Sequence, residues 1–467
     1  MASWIDLPAH VGHLRYVPEM IVAMLADQSG GFVEKNREGD RTWFAVGLES
    51  ESNVLLRAFS KGIRVERPVG LTSDKFDEEA PLGADQLLMI RLAQQLGEAP
   101  DKLRGAQGER ISNQRPIAER AARHFSEDIR RFVRAYAGVI PRQSFVVMLE
   151  SCMAAGLTAI LNSVIEILLE WAETGAIRKK CEQRPAPLFV DASNGTDQRL
   201  RLLAEHCFDD FMRRVDRFPV ILMVARLLDL GARYNRNLKE YANNTRPYAT
   251  DWLDLLGSIL YERHEESRRI LDRMDEDAQK LSEKLVEEAP ETAALLEDAQ
   301  GYPNPAWRLA EALTQLLGRK NTQDNVLSCM DSSLLIERPN GLAAKRRVRQ
   351  SDSVTGKKTR EIRSLVFTDS VLDYLVHVHL LPSGNHEGVR PLSLKEFLRV
   401  IHDRYGFCVD EAPPGMTISN DLLQANRAIL ERRLRDLGLL MGVNDAEAMK
   451  RLRPRFAPRE EETHAVD

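Results

Sequence analysis

Between residues 117 and 138, apolar side chains return at helical intervals. Ala118, Ala121, Phe125, Ile129 and Phe132 share one stripe, and Gly138 stands where the stripe stops, which predicts an amphipathic helix. "SFVVMLESCMAAGLTAILNSVIEILLEW" (144–171) is apolar on nearly every side but carries Glu150, Asn162, Glu166 and Glu170. It therefore reads as a buried helix or helical pair, and a membrane span is not expected. "YERHEESRRILDRMDEDAQKLSEKLVEEAPE" spaces Ile270, Leu271, Met274, Leu281 and Leu285 among many charges. That pattern fits a helix on the protein's own surface, with an arm packed on another chain as the alternative.

Near the C-terminus three shorter helical patterns follow one another. "FTDSVLDYLVHVHLLP" opens with Thr368 or Asp369 as cap, puts Leu372, Leu375, Val376 and His379 on one face, and stops before Pro382. "PLSLKEFLRVIHDRYG" has Ser393 and Glu396 in capping-box spacing, an apolar face of Leu394, Phe397, Leu398 and Ile401, and Gly406 as its stop. "SNDLLQANRAILERRLRDLGLL" sets Leu423, Leu430, Leu434 and Leu437 on its inner side and ends at Gly438. Three short helices with brief connections are the core of helix-turn-helix domains. Upstream, "RTWFAVGLES" and "KGIRVERPVGL" are strand-like and Leu87–Leu96 has helical spacing. The fold class expected is mainly α: a multi-domain helical protein with a small α/β-like N-terminal part and a C-terminal winged helix-turn-helix-like domain. The divisions expected are a mixed region at 1–110, a helical body at 111–300, a connector with a basic hairpin at 301–365, the helix-turn-helix-like domain at 366–456 and an acidic tail at 457–467.

Composition narrows the function classes. The chain has 467 residues, 43% of them hydrophobic and 29% charged, with a formal net charge of −5. Contact with nucleic acid must then come from a local patch. The five cysteines, Cys152, Cys181, Cys207, Cys329 and Cys408, form no C-x-x-C pair, so neither a disulfide framework nor a zinc finger is expected, and the thiols fit a cytoplasmic protein. The N-terminal residues lack the basic and apolar regions of a signal peptide.

Several short motifs invite catalytic readings. "PLFVDASNGTDQRLRLLAEHC" (187–207) runs like strand, turn and helix, yet it has neither G-x-x-x-x-G-K-[ST] nor G-x-S-x-G. The structural account of Asp191 and Ser193 is preferred: Asn194-Gly195 makes a turn, Thr196 caps the helix and Asp197 lies in its first turn. His377 and His379 are two apart and diverge on a helix, so they are read as ordinary partly buried histidines. "FVEKN" and "SEKLVEE" are read as helix or loop charges, without the strand a metal-dependent nuclease site requires. No nucleotide-binding motif occurs, and no metal or cofactor is expected.

The strongest local signal is "LAAKRRVRQSDSVTGKKTREIRSL" (342–365). Lys345, Arg346, Arg347, Arg349, Lys357, Lys358, Arg360 and Arg363 stand against Asp352 and Glu361, a local balance of +6. Two extended segments joined around Gly356 read as a hairpin, with a disordered basic loop as the alternative; either form grips phosphates. On the third C-terminal helix, Gln424, Ala428, Glu431, Arg432 and Arg435 fall opposite the leucines, with Arg427 and Arg433 at the flanks. Arg and Gln recognise guanine and adenine edges in a major groove, and Ala allows close approach. Gln424, Arg427, Arg432 and Arg435 are therefore candidate DNA contacts, together with the eight cations of the ribbon.

"VLDYLVHVHLL", "SLKEFLRVIHDRYG", "ANRAILERRLRDLGLL" and "NDAEAMKRLRPRF" resemble the C-terminal ends of accessory proteins from bacterial multi-gene anti-phage defence operons, of the methylation-associated defence kind. The resemblance implies a DNA-binding or scaffolding subunit and carries over no catalytic residue. The expected function is thus a non-catalytic subunit of a defence complex, whose partners are duplex DNA and other defence subunits. The alternatives are a divergent nuclease, or an interaction scaffold that does not bind DNA.

Overall fold

The computed structural model describes residues 33–35, 41–43, 117–136, 139–178, 182–238, 241, 249–352, 356–382, 390–442 and 450–458. The helical spacing of Leu87–Leu96, the strand-like segment 61–71 and the end of the acidic tail lie outside the described residues. At the N-terminal side, β1 (Val33–Lys35) pairs antiparallel with β2 (Arg41–Trp43), in the register Val33↔Trp43 to Lys35↔Arg41. This bears out the strand character at 41–43 and corrects the reading of "FVEKN" as helix or loop. The connection "NREGD" has the length and the glycine of a hairpin loop, a longer-range signal than the two charges of "FVEKN".

The body is mainly α-helical. α1 (Glu119–Tyr136) buries Ala121, Ile129, Phe132 and Tyr136. α2 (Arg142–Thr174) is a single 33-residue helix that begins after Pro141 and ends at Gly175, whose φ of 70° is left-handed. Among the described residues it is the helix long and apolar enough to cross a bilayer, yet 67% of its most apolar window is buried inside the protein. A helix apolar on all sides is a core element, and α2 is packed by other helices along its length. β3 (Leu188–Phe189) leads to α3 (Gln198–Val215). Thr196 does not cap α3; its hydroxyl donates to the Ser193 carbonyl at 2.8 Å, and the Asp197 carboxylate accepts the first helical N–H groups. The Asn194-Gly195 turn sets the chain one residue later than the spacing suggested.

α4 (Phe218–Tyr234), α5 (Ala249–Leu260), α6 (Ser267–Leu285), α7 (Pro290–Glu297), α8 (Pro305–Leu316) and α9 (Arg319–Ser333) complete the central body. The charged helix α6 lies on the protein's own surface, burying Ile270, Leu271, Met274 and Ala278, and its Asp275 is paired with the buried Arg308 of α8. Gly231 of α4 permits the contact, since a Cβ there would meet Ile270 at 2.8 Å.

β4 (Ala343–Asp352) and β5 (Gly356–Leu365) form the expected hairpin, antiparallel from Ala343↔Leu365 to Asp352↔Gly356. α10 (Asp369–His379) follows and is buried on every side from Val371 to His379, beyond the single apolar face that the spacing indicated. It lies against both α1 and α2. α11 (Leu394–Tyr405) has the expected capping box between Ser393 and Glu396 and ends at Gly406 with a φ of 76°. β6 (Phe407–Cys408), α12 (Asn420–Asp436), β7 (Leu440–Met441) and β8 (Arg451–Leu452) close the fold. β7 pairs antiparallel with β8, and Ser393 bridges to Arg451 in the same sense. β3 pairs in parallel with β6, and Asp191 bridges in parallel to Val366. One apolar cluster runs from Ile117 to Leu452.

Candidate nucleic-acid interface

The alternation of a strand divides the ribbon's charges between two faces. Arg346, Val348, Arg360 and Ile362 share the face turned to α3; Lys345, Arg347, Glu361 and Arg363 share the other. α3 answers the first face with carboxylates one helical turn apart. Glu205, itself 5% exposed, takes both ends of the Arg346 guanidinium, one bond measuring 2.6 Å, and Asp209 accepts from Arg360 at 2.8 Å. On the second face Glu361 lies 3.2 Å from both Lys345 and Arg347. These cations hold the Glu361 carboxyl below its usual range, the bond from Lys345 first. Arg363, 8% exposed, makes a two-pronged pair with Asp331 of α9 at 2.6 and 2.7 Å.

The +6 of the sequence is therefore largely balanced in the fold at the ribbon's root. Lys345, Arg346, Arg347, Arg360 and Arg363 all have carboxylate partners. The side chains of Arg349, Lys357 and Lys358, toward the tip, lie outside the described residues. Local charge counting missed the partners because Glu205, Asp209 and Asp331 are remote in sequence. Glu205 and Asp209 at helical neighbour spacing were the visible trace.

α12 is held by a different chemistry. Asn426, fully buried, accepts from the Ala192 N–H and donates to the carbonyls of Val190 and Val409, each at 2.9 Å. Arg433 donates to the carbonyls of Ala192 and Phe367 at 2.7 and 2.6 Å and pairs with Asp369. These contacts fasten the helix to the backbone where β3, β5 and β6 end. Asn426 sits on the leucine side, three residues after Leu423 and four before Leu430, a polar interruption that could have drawn notice.

The outward face keeps Gln424, Ala428, Arg432 and Arg435 exposed. Arg432 makes no ion pair among the described residues, while Arg435 pairs with Glu431. Glu431, expected on that exposed face, is instead buried at 9% exposure and held by Arg435 and Lys450. Lys450, the residue just before β8, reaches over it. Arg427 is half-buried and paired with Asp410 at 3.3 Å.

The side chains weighed as catalytic candidates are engaged in hydrogen bonds of the fold itself. The Asp191 carboxylate accepts the N–H groups of Ser193 and Gly195 at 2.7 and 2.9 Å, and burial lifts its pKa above the usual carboxylate range. Asn194 and Gly195 both adopt left-handed φ values, 54° and 81°. Ser193 Oγ accepts from Asp197 N at 2.9 Å, so the turn consumes both side chains. His377 Nε2 accepts from the N–H groups of Arg455 and Phe456 at 3.1 and 3.3 Å, which places its proton on Nδ1, toward the Asp373 carbonyl. Burial lowers its pKa to about 4. His379 Nε2 lies 3.1 Å from the Tyr405 hydroxyl, which donates to Asp128 at 2.8 Å. The two histidines thus serve separate networks.

Fold and surface together define a mainly helical protein that carries a basic ribbon and an Arg-bearing C-terminal helix on one continuous core. The model of the methylation-associated defense system protein MAD7 family matches residues 44–456, and the chain belongs to that family. No curated protein and no solved structure matches the chain. The kinship extends far upstream of the C-terminal segments whose texture suggested it, and it carries a role in defence.

Proposed function

We propose that the chain is a non-catalytic DNA-binding and scaffolding subunit of an anti-phage defence complex, working in the cytoplasm with duplex DNA and other defence subunits as partners. The supporting observation is the order of elements around α12. α10, the bridged backbone at Ser393, α11, β6, α12, β7 and β8 follow one another, with β6 paired to β3 and β7 paired to β8. With β6 set apart as the partner of β3, the remaining helices and the β7–β8 pair resemble a winged helix-turn-helix unit, and in this reading α12 is the reading helix. Its outward Gln424, Arg432 and Arg435 have the chemistry of base-edge contacts, with Arg427 at the flank. The ribbon contributes phosphate contacts through Arg349, Lys357 and Lys358 near its tip, and through the exposed Arg347 and Arg360 at lower strength because each shares its charge with a carboxylate.

The test is duplex binding by the purified chain across a series of salt concentrations. Affinity is expected to fall steeply with salt, and absence of binding at about 50 mM salt ends the reading. A scaffold that does not touch DNA is favoured by one specific observation, the pairing of five ribbon cations within the protein. A variant lacking Arg432 and Arg435 that binds DNA normally but loses a defence subunit in pull-downs would establish it.

A further inference from the structure

The link between α11 and α12 holds a cluster that the DNA reading does not use. His402 in the last turn of α11, Cys408 in β6 and Glu411 just beyond place one ligand atom each, all within 4.8 Å of one another. Gly406 creates the juxtaposition. Its left-handed φ of 76° ends the helix and turns the chain back, and a Cβ at this position would stand 2.3 Å from the Ala186 carbonyl. His402 and Cys408, six residues apart, consequently face the same space.

The spacing suits a small tetrahedral ion. Donors at about 2.0–2.3 Å from zinc are roughly 3.3–3.8 Å from each other by tetrahedral geometry. His402 Nε2 lies 3.4 Å from Glu411 Oε1. The Cys408 thiol is buried, and its hydrogen bond to the Gly406 carbonyl is a long 3.9 Å contact that leaves the sulfur's lone pairs unengaged. The neighbouring carboxylates have other duties: Asp403 pairs with Arg184 and Asp410 with Arg427. Glu411, 54% exposed at its side chain, is paired among the described residues with His402 alone.

We propose that His402, Cys408 and Glu411 form a site for a divalent transition metal, zinc by its donor set of imidazole, thiolate and carboxylate, with a fourth position open to water or a partner's side chain. On binding, the Cys408 S–H bond breaks, its proton goes to solvent, and a sulfur lone pair forms the metal–sulfur bond. One thiolate and one carboxylate neutralise a doubly charged ion. The metal would clasp the end of α11 to the loop that leads into α12. That loop already touches α12 through Asp410 to Arg427 and the Val409 carbonyl to Asn426.

The experiment is a titration of the metal-free full-length chain with Co(II), followed by displacement with Zn(II). One equivalent of Co(II) is expected to give the intense visible bands of a tetrahedral ion and a near-ultraviolet sulfur-to-metal band, both bleached by zinc. Cys408→Ser should remove the near-ultraviolet band, and Glu411→Gln should lower metal affinity by about tenfold or more. Glu411 is exposed, so its variant folds normally, as circular dichroism will check, even where Cys408→Ser disturbs the core. Absence of a sulfur-to-metal band with the wild-type chain, its persistence in Cys408→Ser, or unchanged affinity in Glu411→Gln overturns the site.

Discussion

The ribbon root and the outer face of α12 carry the same kind of residue and use it in opposite ways. At the root, Arg346, Arg360 and Arg363 face carboxylates from α3 and α9. On α12 the polar anchors Asn426 and Arg433 point inward to backbone groups, and Arg432 is left to solvent. A dense cluster of cations is thus an intramolecular fastening over much of its length, while a sparser face retains an exposed one without an ion pair among the described residues. Charge density in sequence measures neither, since what matters for a ligand is the charge that the fold has not already answered.

Replacing Asn426 by Leu should have the greatest effect. It strands the Ala192 N–H and the Val190 and Val409 carbonyls, and with roughly 1–3 kcal/mol per orphaned group the loss should reach about 3–5 kcal/mol. Denaturant unfolding measures it, and amide exchange should quicken first along α12. Asp331→Ala should follow, at about 3 kcal/mol, because the buried Arg363 loses its two-pronged partner. If instead this variant is neutral, the root is not a fastening and its cations are free for phosphate.

Acid should separate the ribbon from α10 as well. His377 has a folded pKa of about 4 against the ordinary 6.5, so between those values the unfolded chain binds the additional proton. Stability is then complete above about pH 6.5 and falls as pH drops toward 4, by about 2 kcal/mol for this group near pH 5. His379 is displaced in the same direction. Glu361 is displaced downward from 4.5, so the support it gives the ribbon persists at pH 5 and fades only on further acidification. Urea midpoints at pH 7 and 5 check this, and His377→Gln should flatten the difference.

The DNA variants should show smaller effects. Arg432→Ala with Arg435→Ala should cost about 1–3 kcal/mol per lost base contact on a preferred duplex and less on random DNA. Replacing Arg346, Arg347, Lys357 and Lys358 should weaken all duplexes alike and flatten the salt dependence, with Lys357 and Lys358 contributing more than the paired Arg346. Uniform loss in both sets would make α12 another phosphate clamp. For stability alone, Arg432→Ala should change unfolding by no more than about 0.5 kcal/mol.

Local rules carried well wherever the physics was local. The Ser393–Glu396 capping box, the stops at Gly406 and Gly438, the stripe of α1 and the hairpin around Gly356 were all readable from neighbours in sequence. What escaped depended on distant partners. The burial of α10 on all sides comes from α1 and α2, and the burial of Glu431 from Lys450. Asn426 carries no local signal of its role, which comes from three backbone groups just beyond β3 and β6. The site was readable in its residue types, and unreadable in which charges were already engaged.

Arg433 joins the carbonyls of Ala192 and Phe367 through a single guanidinium nitrogen. Phe367 lies two residues beyond the end of β5, and Ala192 three beyond β3. A torque applied to α12 is therefore delivered to the bases of both strands at once, with no slack hinge between them. A ligand that touches the helix and the ribbon together meets two contacts already held at a fixed separation, and the orientational entropy lost in aligning the second contact is spent during folding, before the ligand arrives.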